Sequence, residues 1–153
     1  MCGIYGEFSY KKQINPHLLI NALSHRGPDG NGWLNFNEGI FVHTRLSIID
    51  LTEIAKQPMS SKCGRFHIIF NGEIYNFLEL RKDLIKKGYI FYSNSDTEVI
   101  LIGFQEWKQG LFQKLNGMFS FCIFDSSKKE LFLVRDRIGI KPLYYIYNKN
   151  QIS

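Results

Sequence analysis

An α+β architecture, two antiparallel sheets faced by helices, is the fold class this sequence predicts. Short alternating or uniformly apolar runs cluster at both ends of the chain, helical apolar spacing fills much of the middle, and turn chemistry punctuates most junctions. The 153 residues, 44% hydrophobic and 15% aromatic, suffice for one ordinary core but not for two complete domains.

The elements follow in order. Gly3-Ile4-Tyr5-Gly6-Glu7-Phe8 alternates apolar with small or polar residues, so a strand begins almost at the terminus and Cys2 sits at its end. Asn15-Pro16 pairs an N-cap with proline at the first helical position, and Leu18, Leu19, Ala22 and Leu23 give the helix an apolar face. It stops near His25, because Gly27-Pro28-Asp29-Gly30 is turn chemistry. Strands follow at Gly32 to Phe36 and Ile40 to Arg45, parted by Asn37-Glu38-Gly39. After a loop containing Pro58, Phe66 to Phe70 reads as a buried strand ending abruptly at Asn71-Gly72.

Leu78, Leu80, Leu84 and Ile85 then mark one side of a helix closed by Gly88, and Tyr89 to Tyr92 reads as a further strand. Ser95 or Asp96 caps a helix carrying Val99, Ile100, Ile102, Gly103 and Trp107. Three last strands are expected at Met118 to Phe124, Leu131 to Val134 and Leu143 to Tyr147, with turns at Asp125-Ser126-Ser127 and around Gly139.

Composition bounds the function. The net charge of +5 comes from 19 basic and 14 acidic residues that are scattered, which reads as a solvated surface and argues against a nucleic-acid partner. No apolar run approaches the roughly 18 residues of a membrane helix, and no basic-then-apolar leader opens the chain, so no membrane partner and a cytoplasmic location are expected. Three cysteines, an odd number, do not suggest a disulfide framework, and the four histidines lack zinc spacing with them, so no metal is expected. Cys63 and Cys122 read as structural, the latter inside the apolar run Phe119 to Phe124.

Position 2 carries the most chemistry. Met followed by a small residue is the usual context for removal of the initiator methionine, which would leave Cys2 with a free α-amine beside its thiol. The thiol is mostly protonated at neutral pH, and an α-amine with a pKa of about 7.7 to 8.0 can act as its base. Cys2 alone is no more than suggestive.

Six segments change its weight. Met1-Cys2-Gly3-Ile4, His25 to Gly30, His43 to Asp50, Asn71 to Asn76, Ser95 to Ile100 and Arg135 to Tyr144 resemble, in order, the motifs of the class II glutamine amidotransferases, and most of all those of the asparagine synthetases. The resemblance runs the length of the chain. It implies the N-terminal-nucleophile hydrolase sandwich, two antiparallel sheets between helical layers, and the conversion of glutamine and water to glutamate and ammonia through a γ-glutamyl thioester on Cys2.

It also implies roles that make physical sense. Attack on an amide creates an oxyanion, and losing one preorganised donor for it typically costs about 100-fold to 1000-fold in rate. The family assigns this to the Asn71 side chain and the Gly72 backbone N–H, although Asn-Gly is also plain turn chemistry. A free amino acid needs a fixed cation and a fixed anion. Arg45 matches the residue that takes the α-carboxylate, Asp96 and Glu73 those that take the α-ammonium, and backbone groups near Ile48 and Ile49 assist. Asp96 as a mere helix cap and Arg45 as a surface ion pair are the plainer alternatives.

His25, Arg26 and Asp29 lie in a loop the resemblance sets beside the site, and Arg135 to Tyr144 reads as scaffold. The partners implied are L-glutamine and an ammonia-accepting synthetase domain or subunit, with no cofactor here and ATP and magnesium only for that synthetase. The Ser- and Gly-rich phosphate loop of full synthetases is missing. Asn148-Lys149-Asn150-Gln151-Ile152-Ser153 reads as a turn and a strand start, so residues 1–153 are expected to be an amidotransferase domain truncated at its C-terminal end. A glutaminase serving a sugar-phosphate or phosphoribosyl acceptor, and a non-catalytic glutamine-binding fragment, stand as alternatives.

Overall fold

The computed structural model describes residues 1–9, 15–149 and 151–153. Among them the chain runs β1 (Gly3–Ser9), α1 (Pro16–Leu23), β2 (Gly30–Asn35), β3 (Gly39–Arg45), β4 (Met59–Ser60), β5 (Phe66–Ile74), α2 (Phe77–Lys86), α3 (Asp96–Trp107), α4 (Leu111–Lys114), β6 (Gly117–Asp125), β7 (Glu130–Arg135), β8 (Tyr147–Asn148) and β9 (Gln151–Ile152). The strands form two antiparallel sheets, one ordered β2-β3-β1-β9-β8 and the other β4-β5-β6-β7.

The two-residue repeat of a strand decides which layer each side chain joins. Ile4 and Phe8 of β1 meet Phe41, Ile69, Cys122 and Phe124 between the sheets. Tyr5, one position over, turns the other way to join Ile40, Val42 and Ile20 of α1. Ile68 and Phe70, flanking Ile69, likewise face out, packing with Phe121, Ile123, Leu84, Val99, Ile100 and Phe104 beneath α2 and α3. The result is four layers: α1, the first sheet, the second sheet, and α2 with α3. Phe8, Phe36, Phe41 and Phe124 knit the sheets together with ring centroids 4.7 to 5.6 Å apart.

Several local expectations are corrected. The strand over Phe66–Phe70 does not stop at Asn71-Gly72 but runs to Ile74, paired with β6 throughout. Tyr89 to Tyr92 is not a strand: its Tyr89 N–H closes the end of α2 on the Leu84 carbonyl, and the Tyr92 N–H is taken by the Glu98 carboxylate, leaving no ladder to join. Leu143 to Tyr147 is not one either. Cross-chain bonds start only at Ile146, which exchanges two with Ser153, and β8 begins at Tyr147. In the expected closing turn, Asn150 lies outside the described residues.

Two helical faces also shift. In α1 Ile20 is the buried residue while Leu18 and Ala22 are exposed, because apolar residues fall on more than one side of the helix and only its packing on β1 and β3 chooses among them. In α2 the buried stripe is Leu80 and Leu84 with Phe77 packed alongside, whereas Leu78 and Ile85, themselves a heptad apart, project outward.

Candidate active site

Asn15 caps α1 through its side-chain oxygen, accepting from the His17 N–H at 3.0 Å, and α1 then delivers the chain to the turn beneath β1. There the backbones press together. A Cβ on Gly27 would fall 2.4 Å from the Thr44 carbonyl, and one on Gly3 2.5 Å from the Thr44 hydroxyl. Thr44 in turn accepts from the Gly3 N–H and donates to the Leu23 carbonyl. This contact fixes the start of β1 and so the position of Cys2.

Cys2 is half-buried at the rim of a cleft of about 150 Å³ between the ends of the two sheets. The Leu46 N–H donates to its sulfur at 3.3 Å, and the thiol lies 3.6 Å from the Leu46 carbonyl. Every residue of the sequence-derived site lines this one cleft: Cys2, Asn71, Gly72, Arg45, Ile48, Ile49, Glu73 and Asp96. Their sequence separations reach 94 residues, so tertiary folding alone brings them together.

β5 explains the Asn71-Gly72 pair. β4 covers only two residues of its edge, so beyond Ile68 no strand among the described residues lies on that side. Side chains take over: Gln57 accepts the Phe70 N–H at 2.6 Å and Asp96 accepts the Ile74 N–H at 3.0 Å. The two-residue repeat aims the Gly72 N–H along the same edge, midway between them and into the cleft. Asn71 and Glu73 belong to the face that carries Ile69 toward the other sheet, which is the face turned to Cys2.

Arg45 ends β3 and is buried, its guanidinium donating to the Thr52 carbonyl at 3.0 Å and to the Asp50 carbonyl. The loop from Leu46 to Thr52 therefore folds around it. Arg45 is not a surface ion pair. Asp50 braces the loop, accepting from the Thr52 N–H and hydroxyl and from the Asn94 N–H; the Thr52 hydroxyl leads in holding its carboxyl below the usual carboxylate range. On this loop Ile48, largely exposed, and Ile49, half-buried, stand at the cleft's edge.

At the opposite wall, Ser95 rather than Asp96 caps α3, accepting from the Glu98 N–H, while Glu98 reaches back to the Tyr92 and Ser93 N–H groups. Asp96 occupies the first helical turn. Burial raises its carboxyl to about 6, against the pull of hydrogen bonds from the Ile74 and Thr97 backbones, and the nearby charge of Glu73 adds to the rise. A carboxylate held so reluctantly at a helix N-terminus suits a cationic ligand.

Sequence reasoning missed several neighbours. Gln57 ties the β5 edge to α3 through Thr97, with its Nε2 donating to the hydroxyl at 3.2 Å. His43 is fully buried in the cleft wall; burial chiefly, and Arg45's charge in part, push it down to about 4 against the pull of the Phe70 backbone. Lys141 is also buried and reaches the cleft from the supposed scaffold motif. That motif is otherwise structural, Asp136 accepting from the Phe119, Ile140 and Lys141 N–H groups. The loop before β2 adds one brace, Asp29 accepting from the Ser47 N–H at 2.8 Å. Cys122 is buried as expected, whereas Cys63 is exposed, with Ser61's hydroxyl foremost in lowering its thiol.

Four layers with a cysteine at the start of the first strand and an open-edge amide in the same cleft fit a sandwich of the N-terminal-nucleophile hydrolase kind. The family described as the glutamine amidotransferase domain matches residues 1–153, and the chain belongs to that family, in its class II branch. Among curated relatives, it is 42% identical over 99% of its length to asparagine synthetase [glutamine-hydrolyzing] 1 of Bacillus subtilis and 40% identical over 95% to number 3 of the same organism. It spans 25% of the length of each. Among solved structures, the glutamine phosphoribosylpyrophosphate amidotransferase of B. subtilis superposes with a TM-score of 0.81 at 19% identity, covering 99% of this chain and 41% of that one, and so shares the fold.

Proposed function

We propose that residues 1–153 hydrolyse L-glutamine and pass on its ammonia, with Cys2 as nucleophile after Met1 is removed. The observation that carries this reading is the Gly72 N–H on the open edge of β5, in one cleft with Cys2, Arg45 and Asp96. Arg45 takes the α-carboxylate of glutamine, and Asp96 and Glu73 take its α-ammonium, with backbone groups near Ile48 and Ile49 closing the pocket.

The Cys2 α-amine accepts the thiol proton as sulfur bonds to the amide carbon. The oxyanion is met by the Gly72 N–H and the Asn71 side chain. Collapse breaks the carbon–nitrogen bond, the ammonium returns its proton, and ammonia leaves a γ-glutamyl thioester. Water then adds, giving its proton to the amine; the carbon–sulfur bond breaks, the thiol is restored, and glutamate departs.

The ammonia acceptor is proposed to be an asparagine-forming synthetase unit using aspartate, ATP and magnesium, in line with the names of the curated relatives. The test incubates chain shown by intact mass to begin at Cys2 with a diazoketone analogue of glutamine. Stoichiometric modification at Cys2, blocked by glutamine and accompanied by glutamate release from glutamine in untreated enzyme, is expected. Cys63, the exposed thiol, is the internal control. Labelling that follows Cys63, or that glutamine does not slow, overturns the reading.

A further inference from the structure

Lys141 is 6% exposed, and its ammonium has one acceptor among the described residues, the Met1 sulfur at 3.0 Å. No carboxylate pairs with it there. A thioether is a poor acceptor for a buried cation with three donors, so this is a costly arrangement with no evident structural return. The backbone beneath it is rigid, since Asp136 accepts the Lys141 N–H at 2.9 Å and Arg135 donates to the Lys141 carbonyl at 2.7 Å. The side chain is thus delivered to the N-terminal end of the cleft.

Removal of Met1 takes away that sulfur and creates a titratable group in its neighbourhood, the Cys2 α-amine. We propose that Lys141 is a positioning residue whose charge, once Met1 is gone, keeps the Cys2 α-amine in its neutral, proton-accepting form. A like charge disfavours the ammonium state of a neighbour, and the same field favours the thiolate, so both effects act in one direction. The inference rests on the glutaminase reading for its use of that amine.

The other charged or titratable groups around the cleft are the same in wild type and in the Lys141 variants, so they set the wild-type midpoint and not its shift when Lys141 is replaced. Arg45 and His43 on β3, Asp50 in its loop, Glu73 on β5 and Asp96 on α3 all line it. Arg45 is engaged with the loop carbonyls, Asp50 with Thr52 and Asn94, and Asp96 with Ile74. Arg26 approaches from below, its Cβ 3.3 Å from where a Gly3 side chain would begin. Lys141 is the cation that already touches the residue preceding the amine.

The test compares wild type, Lys141→Met and Lys141→Arg, each beginning at Cys2 by intact mass. One pH profile is the rate of iodoacetamide alkylation at Cys2, resolved from Cys63 and Cys122 by peptide mapping. The other is kcat/KM for glutamate release. In Lys141→Met the acidic limb of both should rise by about one pH unit, with about a tenfold fall in kcat/KM below it, while Lys141→Arg keeps the wild-type limb. Cys63 alkylation should be the same in all three.

Coincident Cys2 profiles for wild type and Lys141→Met overturn the proposal, and alkylation decides this without glutamine. A shifted alkylation profile in a chain that releases no glutamate supports Lys141's role and counts against the glutaminase reading instead. Should Lys141→Met fail to fold, Lys141→Gln takes its place, and the isotope-labelled Cys2 amine is titrated in that variant and in wild type. A higher midpoint in the variant supports the proposal; an equal or lower one overturns it.

Discussion

Asp96 shows how burying one carboxylate in the cleft wall bears on stability, the cost that its proposed role toward glutamine would have to offset. Its carboxyl binds a proton more tightly folded than unfolded, because burial raises it from 3.8 to about 6. The resulting contribution to stability is complete below the ordinary value and disappears as pH rises through about 6. At pH 7.5 the folded chain therefore holds a buried charge that costs on the order of 3 kcal/mol. Asp96→Asn should melt higher than wild type at pH 7.5 and lose that advantage at pH 4.5, while its KM for glutamine rises. A difference in Tm that does not change with pH would show that burial of the charge is not what destabilises. Arg45→Lys should raise the KM by at least about tenfold with less effect on kcat, since a lysine cannot reproduce the planar fork held between the Asp50 and Thr52 carbonyls. Saturation kinetics give both answers.

At the scale of the element, β5 assigns different duties to adjacent residues. Asn71 faces the other sheet and Gly72 packs where a Cβ would come 2.2 Å from the Met118 carbonyl and 2.7 Å from the Phe119 Cα. Those obstacles are backbone of β6 and cannot swing aside. Asn71→Ala should lower kcat by about 100-fold to 1000-fold with Tm nearly unchanged. Gly72→Ala should instead destabilise by about 3 kcal/mol or more, seen in urea titration, as the sheet parts to admit the methyl group. Ser95→Ala should cost about 1 kcal/mol through the lost cap of α3. Equal Tm values for the two β5 variants would contradict this division.

The whole molecule is held by the contact between its sheets, because Cys2 and Arg45 ride on one and Asn71 and Gly72 on the other. Phe41 is fully buried at that contact, against Phe8 and Phe36. Phe41→Ala should destabilise by about 3 to 5 kcal/mol and lower glutaminase activity even below its Tm, as the cleft loosens. Calorimetry and kinetics at 20 degrees below the Tm check the two halves separately.

Much was legible in the sequence. Alternation gave β1, and apolar runs bounded by turn residues gave β3, β6 and β7 close to their bounds, while Asn15-Pro16 and Ser95 marked helix starts, since capping and strand patterning depend on residues near in sequence. The motifs named the eight expected site residues, and the fold alone sets them along one cleft. What the sequence misjudged depended on distant partners. Tyr89 to Tyr92 has strand composition but no ladder to join, and Asn71-Gly72 has turn composition but sits inside a strand whose open edge Gln57 and Asp96 satisfy. Which face of α1 and α2 is buried, and that Lys141 reaches Met1 across 140 residues, were decided only by packing. Local pattern fixes what a segment can form; the hydrogen-bond partners and burial it finds in three dimensions decide what it does form.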